Sequence, residues 1–289
     1  MYNRYLILLT LFSLLLCPEL QAQYSLSSKA QLRDGHVNVF ELSKGGTKYG
    51  NAIWMDRTKS GSRIKAKYFA SGNTFQKFMN WKGNKNIVLV SSGAYSSGYS
   101  NNSIPIGICV DNGEIVNRAI DQKMDGLVIV EAVGGVRVSD VEKGNLYLGS
   151  LGKKVNPIKD KIMLLNWGRQ ESATIFQTHL LAYDNKLRTY SNGNAKRASR
   201  GMLALVTDKD NNVMHILFEI DREVSLYNAA KDVLSTLRKR KLDVVGIMNL
   251  DRGAYDIMEA YNDDNRAMSF LNGSVPVSSA TNLLVYYYE

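Results

Sequence analysis

The stretch that most constrains this chain is residues 225–256, where a helix, a buried strand and a polar loop are predicted in immediate succession. Ser225 can cap the helix, because its hydroxyl can accept a free N–H of the first turn. Apolar residues then recur on one helical face: Leu226, Ala229, Ala230, Val233, Leu234 and Leu237. Residues 244–250 form an apolar run of strand length that stops at Asp251. A strand that delivers a carboxylate into a loop often builds a site, and an Asp251 that only caps the next turn is the ordinary alternative.

Most of the remaining chain has the pattern of short strands separated by turn residues. Such runs predict strands at residues 37–42, 64–69, 87–90, 202–207, 213–220 and 282–288. Asp111-Asn112-Gly113 between two apolar runs predicts a β-hairpin, and a short helix is predicted over residues 170–176. Together these patterns predict one α+β domain with a mixed, largely antiparallel β-sheet and a few flanking helices.

The beginning of the chain has the pattern of an export signal. Arg4 supplies a positive charge, residues 5–16 form an apolar run too short to span a bilayer comfortably, and cleavage is expected after Ala22. The leucines before Cys17 disfavour a lipoprotein, because that signal requires a small residue there. We therefore predict a signal peptide at residues 1–22, a mature domain at 23–289 without a transmembrane segment, and a periplasmic or extracellular location.

The residues that commonly hold a metal do not recur at ligand spacing. Cys109 is the one cysteine left after cleavage, which excludes an intramolecular disulfide, and its apolar neighbours indicate a buried thiol. His179 has no second histidine at ligand spacing and is interpreted as structural, and residues 208–212 lack the closing glutamate of a calcium loop. Walker, HExxH and GxSxG patterns are absent from the sequence. We predict neither a metal nor another cofactor.

The positive charge of the chain is concentrated near its start. The formal net charge is +9, and residues 23–85 contain twelve Lys or Arg against three Asp or Glu. A basic N-terminal portion favours an anionic partner. In an exported protein this indicates a phosphorylated or otherwise anionic glycan rather than nucleic acid. The alternative is a solvated basic face without a partner.

Several sequence features follow one another in a fixed order. They are the loop at residues 92–95 after a strand, the hairpin with Pro105, Gly107, Asn112 and Gly113, Arg200 before a strand, the loop at residues 251–255, and Asn282 in the last strand. In this order they resemble the phosphodiester glycosidase family over residues 86–288. That family includes the domain of the mannose-6-phosphate uncovering enzyme and many exported bacterial proteins associated with exopolysaccharide. The resemblance implies cleavage of a sugar 1-phosphodiester.

The resemblance also implies roles for individual residues. Asp251 is expected to act as the nucleophile or as the base for water, and Arg200 to bind the phosphate, because a guanidinium can pair with two oxygens at once. The second carboxylate is expected from Glu219 first, then from Asp256, and last from Glu171. Arg252 would add a cation in a role particular to this sequence. Further substrate contacts are expected from Ser92, Gly93, Tyr95, Gly253 and Tyr255.

Both loops also depart from the family pattern. Ser92 and Ala94 stand where the family has Asn and Gly, and Arg252, Ala254 and Tyr255 stand where it has two glycines and a serine. Added side chains narrow a pocket that glycines build. The departures leave two alternatives open: a non-catalytic glycan-binding or scaffold protein on the same fold, and a transferase that uses a sugar acceptor in place of water.

Overall fold

The computed structural model describes residues 24–70, 72–98, 100, 103–143, 146–191, 195–252 and 256–289. In these ranges the chain forms three larger β-sheets, one small hairpin and three α-helices. Every strand pairing in these ranges is antiparallel. The α+β prediction is confirmed in its coarse form, although the fold is mostly β. The expected mixed sheet is not found in the described ranges.

Sheet 1 contains eight strands. In chain order these are β1 (Ser25–Leu32), β2 (Val37–Lys44), β3 (Thr47–Asp56), β13 (Leu180–Tyr183), β14 (Lys186–Leu187), β15 (Arg197–Thr207), β16 (Val213–Ser225) and β17 (Asp243–Leu250). Their order across the sheet is β1-β2-β3-β16-β15-β17-β13-β14. Because β3 pairs with β16, three strands of the basic N-terminal portion are part of the same sheet as the strand that precedes Asp251.

Sheet 2 contains five strands. These are β4 (Ile64–Phe69), β5 (Asn86–Ser91), β18 (Met258–Tyr261), β19 (Ala267–Asn272) and β20 (Leu283–Tyr288), in the order β19-β18-β5-β20-β4. Strand β20 is buried along its whole length and lies between β5 and β4. Its sequence LLVYYY has no polar face, as expected of a strand that is covered on both sides.

Sheet 3 also contains five strands. These are β6 (Cys109–Asp111), β7 (Glu114–Asn117), β8 (Gly126–Val130), β9 (Val136–Asp140) and β12 (Thr174–Thr178), in the order β7-β6-β12-β8-β9. Strands β6 and β7 form the predicted hairpin, with positive φ at Asn112 and Gly113 in its turn. A separate hairpin pairs β10 (Leu146–Leu148) with β11 (Lys153–Val155).

The three helices are α1 (Thr74–Lys82), α2 (Lys161–Gln170) and α3 (Leu226–Lys239). Helix α3 and its cap are confirmed, because the Ser225 hydroxyl accepts the Asn228 N–H at 3.2 Å. The predicted helix over residues 170–176 is wrong. Helix α2 ends at Gln170, and Thr174–Thr178 is a strand held between β6 and β8. In the described ranges, none of the helices has both the length and the apolar character needed to cross a bilayer.

The sheets surround one central core, and each carries a helix on its outer face. One face of every sheet contributes to the central apolar cluster. The opposite faces of sheets 1, 2 and 3 form separate clusters beside α3, α1 and α2, respectively. This alternation follows from the two-residue period of the strands. Because β16 leads directly into α3 and its last residue, Ser225, pairs with Arg197, the first turn of α3 lies beside the beginning of β15.

Candidate functional site

Asp251 lies directly after β17, at the edge of a cavity of about 480 Å³. Its side chain is only 6 % exposed. Leu226 and Tyr227, which begin helix α3, line the same cavity. A strand end that carries a carboxylate therefore meets the N-terminus of a helix at one concave site.

The backbone of Asp251 is held by the loop that follows β5. The Asp251 N–H donates to the Gly93 carbonyl at 3.0 Å, and the Ser92 hydroxyl donates to the Asp251 carbonyl at 2.6 Å. Gly93 donates its own N–H to Asn282 Oδ1 at 3.0 Å, and a Cβ on Gly93 would lie 2.6 Å from the Tyr68 ring. Since these groups already have partners inside the protein, we assign Ser92 and Gly93 to positioning Asp251.

Burial makes the carboxyl group of Asp251 a weaker acid than usual. Removal of the carboxylate from water raises the pKa of Asp251 to about 6, and a hydrogen bond from the Ser96 backbone partly opposes this shift. Such a carboxyl is mostly ionised at neutral pH and becomes protonated in mildly acidic solution. It can therefore act as a nucleophile or base in the neutral range.

We expect the stability of Asp251→Asn relative to wild type to increase with pH. The folded pKa of Asp251 lies above its unfolded value, so its stabilising contribution is fully present below about pH 3.8 and is lost as the pH rises through about 6. The difference in free energy of unfolding should change across this window by on the order of 2–3 kcal/mol. Urea denaturation at pH values from 4 to 7.5 measures this difference, and a flat difference would contradict the raised pKa.

Asp256→Asn is the matched control for that experiment. Burial acts to raise the pKa of Asp256, but the charge of Arg252 and hydrogen bonds from Ser274 and Arg252 lower it below its usual value. Its stabilising contribution is therefore present above the unfolded pKa and is lost as the pH falls. The stability of this variant relative to wild type should therefore stay nearly constant above about pH 5 and should rise as the pH falls below about 4.

Arg200 and Lys196 supply positive charge to the cavity. Arg200 lies in β15, where its Nε donates to the Val224 carbonyl at 3.3 Å and its Nη2 donates to the Lys196 carbonyl at 2.7 Å. Nη1 has no hydrogen bond to the described residues. Burial lowers the pKa of Arg200 and Tyr95 opposes this shift, yet an arginine side chain stays protonated in proteins. Arg200 is therefore a fixed cation that retains donors for a ligand.

Tyr95 lies within electrostatic range of Asp251 and Arg200. Burial raises the pKa of Tyr95 to about 12, with the charge of Asp251 adding to the shift and that of Arg200 opposing it. The Tyr95 hydroxyl accepts a hydrogen bond from Asn249 Nδ2, and its ring centre lies 5.4 Å from that of His179 in an edge contact. The phenol stays neutral at physiological pH and can donate its proton to a ligand oxygen.

Two further tyrosines line the cavity. Tyr227 belongs to the first turn of α3, and Tyr190 lies in the connection between β14 and β15. Tyr190 is 89 % exposed, which is unusual for a large aromatic side chain. An exposed ring beside a cavity offers a flat apolar face to a sugar.

Glu219 and Arg252 lie in a buried cluster away from this cavity. Arg252 Nη2 pairs with Glu219 and lies 3.4 Å from Asp221, and its Nε pairs with Asp256. Glu219 also accepts a hydrogen bond from Asn51 at 2.6 Å. The Arg252 and Glu219 side chains are 3 % and 2 % exposed. This ion-pair cluster shares no lining residue with the cavity of Asp251, so the structure does not bring Glu219 or Arg252 to it.

The remaining predicted residues divide into two groups. Glu171 is exposed just after α2 and lines a different groove, so it is not brought to Asp251. Gly253 and Tyr255 lie outside the described residues.

The described part of the chain has no group of three or more His, Cys, Asp or Glu side chains that could hold a metal ion. Cys109 is buried in sheet 3, and burial raises the pKa of its thiol.

Comparison with known proteins does not assign the chain to a family. No family model matches it, and no curated protein matches it. One solved structure, of a protein from Burkholderia pseudomallei K96243 that is described as expected to be exported, is similar to this chain. The TM-score is 0.41 and the identity is 10 %, over 86 % of this chain and 74 % of that one.

The sequence assigns no role to several residues at the cavity. Ser96, Tyr190, Lys196 and Tyr227 line it, and Asn249 donates to the hydroxyl of the lining residue Tyr95. His179, interpreted from the sequence as structural, also lines it. Asn249 carried a usable signal, since it is a polar residue inside an otherwise apolar strand and lies two positions before Asp251. Tyr190 and Lys196 lie in a polar connection without periodicity, so no local pattern indicates where they lie in the fold.

Proposed function

We propose that this protein is a phosphodiester glycosidase, a hydrolase that cleaves the C1–O bond of a sugar 1-phosphodiester in an envelope or extracellular glycan. One observation carries the proposal: Asp251, Arg200 and the first turn of α3 line the same cavity. A carboxylate and groups that favour an anion therefore border one cavity.

The anionic part of the substrate is expected at Arg200. The N-terminus of a helix has free N–H groups and a partial positive charge, which favour phosphate. Helix α3 has no acidic residue in its first turn. Together with Lys196 and the Nη1 donors of Arg200, which have no hydrogen bond to the described residues, this end of α3 complements the two non-bridging oxygens of a phosphodiester.

Asp251 would then act at the sugar carbon. Either its carboxylate attacks C1, and water later hydrolyses the glycosyl ester, or it removes a proton from water that attacks C1 directly. In both routes the C1–O bond to phosphate breaks, a C1–O bond to water oxygen forms, and one proton is released. The products are a free sugar and a phosphate monoester.

A cavity with one carboxylate suits a phosphate leaving group better than an alcohol leaving group. Asp251 is the one carboxylate among the described lining residues, whereas an ordinary glycoside needs a second, protonated carboxyl to assist departure of an alcohol. A phosphate monoester leaves as a stable anion and needs less proton donation. Tyr95, whose phenol is neutral, can donate a hydrogen bond to the departing oxygen.

The same single carboxylate favours a second candidate function, a glycan-binding protein without catalysis. The two candidates are separated by incubating the mature protein with a panel of sugar 1-phosphodiesters, including nucleotide-sugars, and measuring released sugar. Release supports the hydrolase. If the folded protein releases sugar from none of them but binds an anionic glycan, and Asp251→Asn binds it equally well, the hydrolase proposal is contradicted.

Arg200→Ala is expected to weaken binding of the phosphate-bearing substrate specifically. Loss of a charge-assisted hydrogen bond of about 1.5–3 kcal/mol should raise KM by roughly 10- to 100-fold. Arg197→Ala is the matched control, because Arg197 lies on the same strand, is exposed and donates to the Glu223 carbonyl. Initial-rate kinetics of both variants provide the test, and an equal KM effect for both would contradict a phosphate role for Arg200.

A further inference from the structure

One face of the molecule exposes an unusual number of large apolar side chains. Of the ten that are exposed in the described residues, five lie between residues 133 and 162: Val133, Tyr147, Leu151, Ile158 and Ile162. Ile162 is 73 % exposed. Single exposed apolar residues need no explanation, but a local concentration of them marks an interaction surface.

These residues line two neighbouring grooves that share Trp167. Leu151, Ile158 and Ile162 line one groove beside α2, and Val133 and Tyr147 line a second. Trp167 lines both grooves and is itself 5 % exposed, with its indole N–H donating to Ser150 at 2.9 Å. The surface is therefore built on a packed floor that joins α2 to the β10–β11 hairpin.

Lysines are interspersed with these apolar side chains. Residues 146–171 contain Lys153, Lys154, Lys159, Lys161 and Arg169 against the acidic Asp160 and Glu171. The register of β10 and β11 sets Tyr147 directly opposite Lys154, and Lys159 and Lys161 line the groove of Ile158 and Ile162. Asp160 is engaged locally, because its Oδ2 accepts the Asn156 N–H at 2.7 Å. We call Tyr147, Leu151, Ile158, Ile162 and the four lysines the lysine–isoleucine surface.

We propose that the lysine–isoleucine surface docks this protein on an anionic phospholipid bilayer. Aliphatic side chains enter the boundary between headgroups and acyl chains, while lysines remain with the lipid phosphates. Positive charge complements an anionic headgroup layer, and branched aliphatic side chains complement the hydrocarbon beneath it.

Vesicle flotation with the mature protein tests the proposal. The vesicles contain phosphatidylcholine alone or with 30 % phosphatidylglycerol. Binding is expected to the mixed vesicles, to weaken with added salt and to be far lower on phosphatidylcholine. Lys159→Gln/Lys161→Gln should lower the partition coefficient about 30-fold, because each basic residue near an anionic surface contributes about fivefold. Ile158→Ser/Ile162→Ser should lower it at least as much, because it removes the inserted chains.

Two matched controls accompany these variants. Val245→Ser/Phe270→Ser changes two exposed apolar residues elsewhere, and Lys209→Gln/Lys231→Gln changes two exposed lysines elsewhere. Both should bind vesicles like wild type, and circular dichroism checks that every variant is folded. Equal losses in the controls, or no binding of the folded wild type to mixed vesicles, would overturn the proposal.

Two other outcomes would replace the lipid with a different partner. If the isoleucine variant binds vesicles normally while the lysine variant loses both vesicles and dextran sulfate, the surface recognises an acidic polymer. If wild type fails to bind vesicles and size-exclusion chromatography shows a dimer that the isoleucine variant converts to a monomer, the surface pairs two copies of the chain.

Discussion

Asp251→Asn is expected to lower kcat for sugar release from a sugar 1-phosphodiester by roughly 10³- to 10⁴-fold, as removal of an essential catalytic carboxylate does elsewhere. The amide keeps the shape of the side chain but can neither attack C1 nor accept a proton from water. Because the Ser92, Gly93 and Asn282 contacts hold the backbone rather than the carboxyl group, the fold should persist. The measurement is released reducing sugar per folded molecule.

The matched control for this prediction is Asp256→Asn. Asp256 is a carboxylate of the same loop region, but it pairs with Arg252 and lines no part of the cavity. It should lose stability and keep kcat within about twofold when folded. Equal loss of kcat in the two variants would mean that the cavity is not where the reaction takes place.

The second large effect is expected in stability rather than in activity. Arg252→Met should lower the free energy of unfolding by about 3–5 kcal/mol, because it leaves the buried Glu219 carboxylate without its cation. Urea denaturation at pH 7.5 measures this loss. Activity per folded molecule should change little, since Arg252 is not a lining residue of the cavity.

A double variant separates this explanation from simple loss of packing. Arg252→Met/Glu219→Gln also neutralises Glu219, the most buried carboxylate of the cluster, and should recover about 2 kcal/mol of the loss. Recovery is expected to be partial, because Asp256 and Asp221 also lose their cation, although their side chains are 23 % and 49 % exposed. Absence of any recovery would contradict an ion-pair role. If Arg252→Met alone has unchanged stability and a raised KM, the result would instead support the sequence-based prediction that Arg252 binds substrate.

Local patterns in the sequence predicted much of the secondary structure. The cap at Ser225, the apolar face of α3 and the strand before Asp251 each follow from side-chain chemistry within a few residues, and all are confirmed. The helix predicted over residues 170–176 failed for a tertiary reason. The β-branched Thr174 and Ile175 belong to the central strand of sheet 3, where Thr174 pairs with β8 and Ile175 pairs with both β6 and β8.

The site was harder to predict because it depends on which face of a sheet each side chain occupies. Arg252 directly follows Asp251, and Glu219 lies in a neighbouring region of sheet 1, yet both turn into a separate cluster. Adjacent residues in extended chain point in opposite directions, so proximity in sequence gave little information on shared function. Lys196 and Tyr190 reach the cavity through chain connections that have no local signature.

Hydrolysis in ¹⁸O-labelled water tests the central claim most directly. The folded wild-type protein is incubated with the sugar 1-phosphodiester that it turns over best, and the released phosphate monoester is analysed by mass spectrometry, because its oxygens do not exchange with water as the anomeric oxygen does. If the C1–O bond of the substrate is the bond that breaks, the released phosphate monoester should contain no ¹⁸O. Incorporation of ¹⁸O into the phosphate, or the absence of turnover across the whole panel, would contradict the account.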